Sequence, residues 1–470
     1  MKPLHKKFNL PLSIFTVSSV LFFIFYFSIN DDFYSGPTTR SPASKQILFP
    51  SQFKWCVATA AHQIEGGNKN NDWWEWEHLI PSKIKNNDSS EISTDHWNKV
   101  EVDTNLMKDL GVNQYRFSIE WSRIEPKEGE FDQSAMNHYR EEINLLKQNG
   151  ITPMVTLHHF TSPIWFAHQG GWSSEKSPEQ FLKFVYYVRT QLGESVSQWI
   201  TFNEPMVLLL GGYAQGLFPP GLSDWKKISS PLKNVLRAHA LAYYELHKNS
   251  NAQVGMAHHL RVFEPFSKIN PIDWYLANKF EEAFNWTIPN ALYTGKIHVS
   301  VPTMIKYKEE LPELKGTQDF IGLNYYSRDF IKYTPKGKNV ASIVSKEGVD
   351  STDLNWEIYP HGIYRILRKL NQKYSELPVY ITENGIADKA DKKRSVFLKN
   401  HLKEIYDAIN AGVDVRGYCH WSLMDNFEWN EGYSARFGLY QMNYKTLERI
   451  PTESAKLYKD IIQKNGWSQE

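Results

Sequence analysis

From residue 49 onward, short apolar segments alternate along the chain with longer stretches of helical pattern. The short segments are 53–58, 113–118, 151–157, 198–203, 254–258, 319–323, 379–382 and 416–421. Each is bounded by turn or polar residues and is apolar in the manner of a parallel strand buried on both faces. Between them, the helical stretch 101–110 ends at Gly111 and 135–148 ends at Asn149-Gly150, with glycine where a helix C-terminus favours it. The stretch 178–192 follows Ser177, read as an N-cap ahead of proline at the first helical position. A further stretch, 394–411, runs up to Gly412. Eight strands alternating with helices predict an α/β fold, a single (β/α)8 TIM barrel over residues 49–466. A doubly wound sheet is the alternative, but no G-x-G-x-x-G follows the first strand.

Ahead of this pattern, residues 10–29 are uncharged and rich in Phe, Ile, Leu and Val. About 20 such residues suffice to cross a bilayer as a helix. Lys2, Lys6 and Lys7 in the basic segment 1–9 precede the run, and Asp31 and Asp32 follow it, which directs the large domain outward. The length of the run and the lack of an A-x-A pattern favour an uncleaved signal anchor over a cleaved signal peptide. Residues 30–48, rich in Ser, Thr and Pro up to Lys45, then read as a flexible stalk. The expected location is a membrane-anchored, extracytoplasmic domain, or a secreted or periplasmic one if the segment is cut. Asn87-Asp88-Ser89 and Asn285-Trp286-Thr287 fit the N-glycosylation pattern, which arises often by chance.

Composition narrows the partners. Lys+Arg 53 against Asp+Glu 52 leaves a formal charge of +1, which provides no pull toward nucleic acid. Aromatic residues reach 14%, including 16 Trp and 25 Tyr, and such rings can stack on the C–H face of a sugar. A large aromatic core would give the same composition. Cys56 and Cys419 form no CxxC pair and are read as two small buried apolar residues, with a bridge between them as the lesser alternative.

In a barrel of this kind, chemistry gathers at the C-terminal ends of the strands. The fourth predicted strand ends in Thr201-Phe202-Asn203-Glu204-Pro205, and the seventh in Ile381-Thr382-Glu383-Asn384-Gly385. Hydrolysing an acetal needs a proton for the leaving oxygen and a negative group facing the developing oxocarbenium ion. Two carboxyls suffice, with no cofactor. Arg116, at the end of the second strand, is the candidate cation for Glu383. His158 and His159 raise the question of a metal, but adjacent strand residues face opposite ways and no third ligand is evident.

At these motifs the chain resembles glycoside hydrolase family 1, the β-glucosidase family. The resemblance runs from Phe49 to about Tyr458. It also rests on Phe53 to Ala60 with Gln63-Ile64-Glu65-Gly66, on Arg116 to Ile124, on Asp319 to Tyr326 and on His420 to Trp429. It implies retention of β configuration through a glycosyl-enzyme, with the two carboxyls about 5–5.5 Å apart. By motif position Glu204 resembles the acid/base and Glu383 the nucleophile, with Tyr326 as the phenol bonded to the nucleophile and Asn324 on the acid/base side. Asn203 is expected to reach the sugar 2-hydroxyl. Gln63, His159, Glu428 and Trp429 match positions that hold the hydroxyls of the non-reducing sugar, and Trp421 matches its stacking floor. Trp356 resembles a Trp of the leaving-group side, with Trp172 as a second candidate there.

The departures are informative. Cys56 stands where the family commonly has Gly, and His159-Phe160-Thr161 replaces the usual His-Trp-Asp. Glu428 is kept where phospho-sugar enzymes lose the carboxylate, and Glu204 where plant thioglucosidases have Gln. Hydrolysis of unphosphorylated β-O-glucosides or β-O-galactosides is the expectation. A transglycosylase using the same glutamates is the alternative. A binding-only protein would typically lack one of them.

Overall fold

The computed structural model describes residues 46–248, 250–335 and 339–468. Eight parallel strands close into a barrel: β1 Lys54–Ala58, β2 Gln114–Ser118, β3 Thr152–His158, β4 Gln198–Asn203, β5 Gln253–His259, β6 Phe320–Asn324, β7 Val379–Asn384 and β8 Val415–Trp421. Each strand pairs with the next in the chain, and β8 closes onto β1 with Cys419 opposite Cys56. Helices lie between successive strands, among them Val100–Leu110, Gln133–Gln148, Ser177–Leu192 and Arg394–Asn410. Their apolar faces and the outer faces of the strands form the main core. Met154, Ile200, Ala257, Phe320 and Tyr380 form a cluster of their own. Side chains from five consecutive parallel strands meet only inside a closed barrel, so this one is a packed cylinder and no pore.

The predicted strands match the observed ones to within two residues at either end. The helix ends follow the expected logic at Gly111, which takes φ 81° and lets Val100–Leu110 stop in a left-handed turn. Ser177 differs. It is the first helical residue, Lys176 holds the cap position, and the Ser177 hydroxyl donates to the Ser174 carbonyl.

Three further expectations are corrected. Gln46–Leu48, assigned to the stalk, pairs antiparallel with Gly466–Ser468, so the folded unit begins and ends a few residues beyond 49–466. Cys56 and Cys419 are joined in a disulfide, because barrel closure sets two residues 363 positions apart side by side on neighbouring strands. Asn285 is buried, and its amide is bonded to the backbone of Arg261, which removes it as a glycan acceptor in the folded chain. The apolar run 10–29 and the stalk up to Lys45 lie outside the described residues, among which no helix is long and apolar enough to cross a membrane.

The crossover between β5 and β6 is the most elaborate. It holds the strand Val262–Pro265, the helices Pro271–Glu281 and Thr287–Thr294, and a hairpin of Lys296–Val301 with Ile305–Glu310. Val262–Pro265 joins Arg328–Tyr333 and Ala341–Val344 in a separate three-stranded sheet beyond the C-terminal ends of β5 and β6. This sheet walls one side of the barrel mouth.

Candidate active site

Every site residue read from the motifs lies at or just beyond the C-terminal end of a barrel strand, or in a loop that reaches there. Arg116 on β2 is fully buried and is the hub. Its Nη1 donates to Glu383 Oε1 at 2.6 Å and to the Thr382 carbonyl, and its Nη2 donates to Asn203 Oδ1 at 2.7 Å. From the other side the Tyr326 hydroxyl donates to Glu383 Oε2 at 2.6 Å. Glu383 therefore holds a permanent cation on one oxygen and a phenol on the other. The Tyr326 phenol stays far above its ordinary range because it is buried beside the Glu383 charge.

Glu204 sits one residue past the end of β4 with left-handed backbone angles, φ 42° and ψ 55°, immediately ahead of the short helix Pro205–Leu209. A non-glycine residue rarely adopts these angles, and here the surrounding contacts hold it there. Its backbone N–H donates to the Ala257 carbonyl on β5, and Asn324 Nδ2 donates to its Oε1 at 2.8 Å. Asn324 Nδ2 also reaches Asn203 Oδ1, and the Thr382 hydroxyl donates to Asn324 Oδ1. Arg116, Asn203 and Asn324 thus link the two glutamates in one network.

Sequence reasoning missed His259, at the end of β5. Its Nδ1 lies 3.3 Å from Glu204 Oε1. Arg261 Nε donates to its Nε2 at 3.0 Å, which makes Nε2 the acceptor and leaves the proton on Nδ1, facing Glu204. Arg261 is held in turn by Asp329 at 2.9 Å. The signal was present as a second His-His pair, His258-His259, at a strand end.

On the far side of the cavity Gln63, Glu428, His159, Trp421 and Trp429 converge. Gln63 Nε2 donates to the Asn426 side chain, the Phe427 carbonyl and Glu428 Oε2. The His159 ring stacks against both Trp421 and Trp429, and its Nε2 accepts from Asn203 Nδ2. Gln63 Oε1 and His159 Nδ1 are buried and have no partner in the protein. One acceptor and one donor are therefore free to meet hydroxyl groups. His158 turns the other way, toward Ser162 and Trp172. Among the described residues no group of three or more His, Cys, Asp or Glu is placed to hold a metal. Gly385 closes the second glutamate motif against the loop after β8, since a Cβ there would meet the Trp421 carbonyl oxygen at 1.8 Å.

Trp356 stands at the rim with its ring 5.7 Å from that of Tyr326. Trp172 does not join it. It is buried among Phe166, Phe181, Phe202 and His158, so the second leaving-group candidate is a core residue.

Three carboxyls share this buried cavity. Burial is the largest influence on Glu204 and Glu383 and disfavours charge on both; Arg116 opposes it at Glu383, as do the His259 ring and the Asn324 amide at Glu204. The two interact strongly, so the upper step, at about 7, belongs to the pair. Burial and the Glu383 charge also push Glu428 up to about 8. His259 is itself pushed below its ordinary value by burial, so at neutral pH it is an uncharged ring. Glu383 bonds a guanidinium directly, whereas Arg261 reaches Glu204 only through the His259 ring, a difference that favours charge on Glu383 and the proton on Glu204. The arrangement sets two carboxyls in unequal surroundings across one cavity, which is what a proton donor facing an ionised carboxylate requires.

Known proteins share this architecture. The profile of glycosyl hydrolase family 1 matches residues 45–467. Beta-glucosidase A of Thermotoga maritima is 35% identical over 443 residues, covering 89% of this chain and 98% of that protein. A beta-galactosidase of Pyrococcus woesei is 31% identical, with 89% of this chain and 98% of that one covered. Among solved structures, a beta-glycosidase from Pyrococcus horikoshii superposes with a TM-score of 0.84 at 39% identity, covering 90% of this chain and 97% of its own. The chain belongs to glycosyl hydrolase family 1.

Proposed function

We propose that this protein cleaves the non-reducing terminal β-D-glucosyl or β-D-galactosyl residue from O-glycosides by double displacement. The observation that carries this reading is the unequal environment of two linked carboxyls: Glu383 held by a guanidinium and a phenol, Glu204 by an amide and a neutral ring. In the first step the Glu383 carboxylate attacks the anomeric carbon while Glu204 gives its proton to the glycosidic oxygen, which leaves as the alcohol. In the second, the Glu204 carboxylate takes a proton from water as the water oxygen attacks the same carbon and Glu383 departs. Arg116 orients Glu383 and Asn203 together, and Asn203 is placed to meet the sugar 2-hydroxyl. Gln63, His159, Glu428 and Trp429 hold the remaining hydroxyls over the face of Trp421.

The relatives are named as a beta-glucosidase and a beta-galactosidase, which favours water over a sugar or lipid as acceptor. The apolar run 10–29 supports export of the domain, and so does the Cys56–Cys419 disulfide, since such bonds persist in oxidising compartments. The test is a panel of α- and β-linked nitrophenyl glycosides with the full-length chain beside Glu204→Gln and Glu383→Gln. Release from a β-glucoside or β-galactoside that both variants lose supports the reading. An inert, folded wild type across the panel refutes it.

A further inference from the structure

Trp429, in the loop after β8, has a left-handed backbone with φ 48°. A residue with a Cβ keeps such strained angles only where its surroundings over-determine it. The surroundings here are aromatic. His62 lies against the Trp429 ring at 5.9 Å with 12° between the planes, and His159 lies near-parallel to it at 6.0 Å and 17°. Trp73 and Phe160 meet the same ring at 4.6 and 5.1 Å and at steeper angles. His159 is in turn near-parallel to Trp421 at 5.8 Å. His62, Trp429, His159 and Trp421 thus form a succession of near-parallel rings. The last three belong to the sugar-holding side of the cavity, and His62 is the remaining member.

Both nitrogens of His62 are engaged by one neighbouring segment, the helix Asp72–Glu77 and its N-cap Asn71. Asn71 Oδ1 accepts from the Trp74 N–H at 2.7 Å, which turns the amide nitrogen toward His62 Nδ1 at 3.1 Å. A ring nitrogen that accepts carries no proton, so His62 is neutral and its proton sits on Nε2, 2.8 Å from Glu77 Oε1. Glu77 Oε2 accepts from the Ser90 N–H at 2.8 Å, and Phe427 meets the His62 ring edge-on at 5.8 Å. His62, Asn71 and Glu77 are all buried. The imidazole is therefore fixed in plane and in tautomer, and what it presents to Trp429 is its face.

We propose that His62 is a positioning residue for sugar recognition: its ring, held by Asn71 and Glu77, sets the tilt of Trp429 and thereby the selectivity for one hydroxyl of the non-reducing sugar. This rests on the hydrolase reading above and deepens it. Close-packed rings cannot tilt independently of one another. A hydrogen bond weakens steeply as its angle departs from linear, so a tilted indole loses the hydroxyl it faces and spares the others.

The test measures kcat/KM of the full-length protein on nitrophenyl β-D-glucoside and on its 3-, 4- and 6-deoxy analogues. Trp429→Phe removes the indole N–H and identifies the hydroxyl at stake as the one whose deletion no longer matters. In the wild type that deletion is expected to cost about tenfold, the size of one hydrogen bond, and in His62→Ala and His62→Gln about threefold or less. The other two deletions keep their wild-type cost to within about twofold. His62→Gln retains a donor for Glu77, which guards against a fold lost to an unpaired buried carboxylate. His62→Phe combined with Glu77→Gln returns a ring without stranding a charge and is expected to restore most of the selectivity. A uniform loss of kcat/KM with all three deletion costs unchanged is what a merely structural residue would show, and it overturns the proposal. So does a Trp429→Phe variant that alters none of the three costs, or a returned ring that restores nothing. Affinities of the uncleaved thioglucoside and its deoxy analogues give the same costs without turnover. An inert wild type would thus refute the hydrolase reading and leave the role of His62 to be decided by binding alone.

Discussion

His259 Nδ1 lies 3.3 Å from Glu204 Oε1, while Arg261 Nε donates to the opposite nitrogen of the same ring at 3.0 Å. The arginine thereby sets the tautomer of a neutral imidazole whose proton faces the carboxyl that must alternate between acid and base. A donor to the ionised form lowers a carboxyl's pKa, and its loss raises it. His259→Leu is therefore expected to move the alkaline limb of the kcat/KM profile upward by about one to two pH units, of the size of one hydrogen bond to a charged group. A pH–rate profile on a β-glucoside checks this, and a downward shift contradicts it.

Tyr326 acts on the other carboxyl. Removing its hydroxyl takes a 2.6 Å donor from Glu383 Oε2 and leaves Arg116 to hold the charge alone. Tyr326→Phe is expected to lower kcat/KM by roughly 10- to 100-fold and to move the acidic limb toward neutral pH. Unchanged kinetics in this variant would remove Tyr326 from the machinery.

The Cys56–Cys419 disulfide spans 363 positions. Linking such distant points restricts the unfolded chain, and bridges of this kind contribute about 2–4 kcal/mol. Cys56→Ala with Cys419→Ala is expected to lower the melting temperature by several degrees and to leave the kinetics close to wild type. In the unfolded, unreduced protein a thiol reagent should find no reactive cysteine. Two reactive thiols there would disprove the bond.

Away from the site, His96 is buried between Asp103 at 2.7 Å and Glu142 at 3.2 Å, with Arg449 also on Asp103. Burial opposes its charge, but the two carboxylates prevail and raise its pKa from 6.5 to about 10. A raised folded pKa gives stability that is full below 6.5 and lost as pH rises through about 10. Thermal stability should therefore fall between pH 7 and 10, by up to about 1.4 kcal/mol per pH unit from this group. His96→Asn should flatten that slope. A melting series across this range in both proteins measures it.

The barrel strands were legible because a strand buried on both faces writes its burial into consecutive residues, as in Met154 and Val155 of β3 or Tyr380 and Ile381 of β7. The two glutamates were legible because Asn203-Glu204 and Thr382-Glu383 end such strands, where a barrel collects its chemistry. Trp172 was misread for a reason of the same kind. Its neighbours in sequence are polar and loop-like, and only the packing of Phe166, Phe181 and Phe202 around it shows that it belongs to the core.

What the sequence by itself determined is local: the strand and helix order, the glycine at Gly111 that ends a helix, and the residue types delivered to the barrel mouth. Those follow from propensity and periodicity, which act over a few residues. The tertiary structure decided what depends on closure. It joined Cys56 to Cys419, set Arg116 between Glu383 and Asn203, turned the His259 proton toward Glu204, and laid the His62 ring against Trp429. These relations run between side chains far apart in the chain, and their energies depend on distance and burial. Neither quantity exists until β8 has met β1.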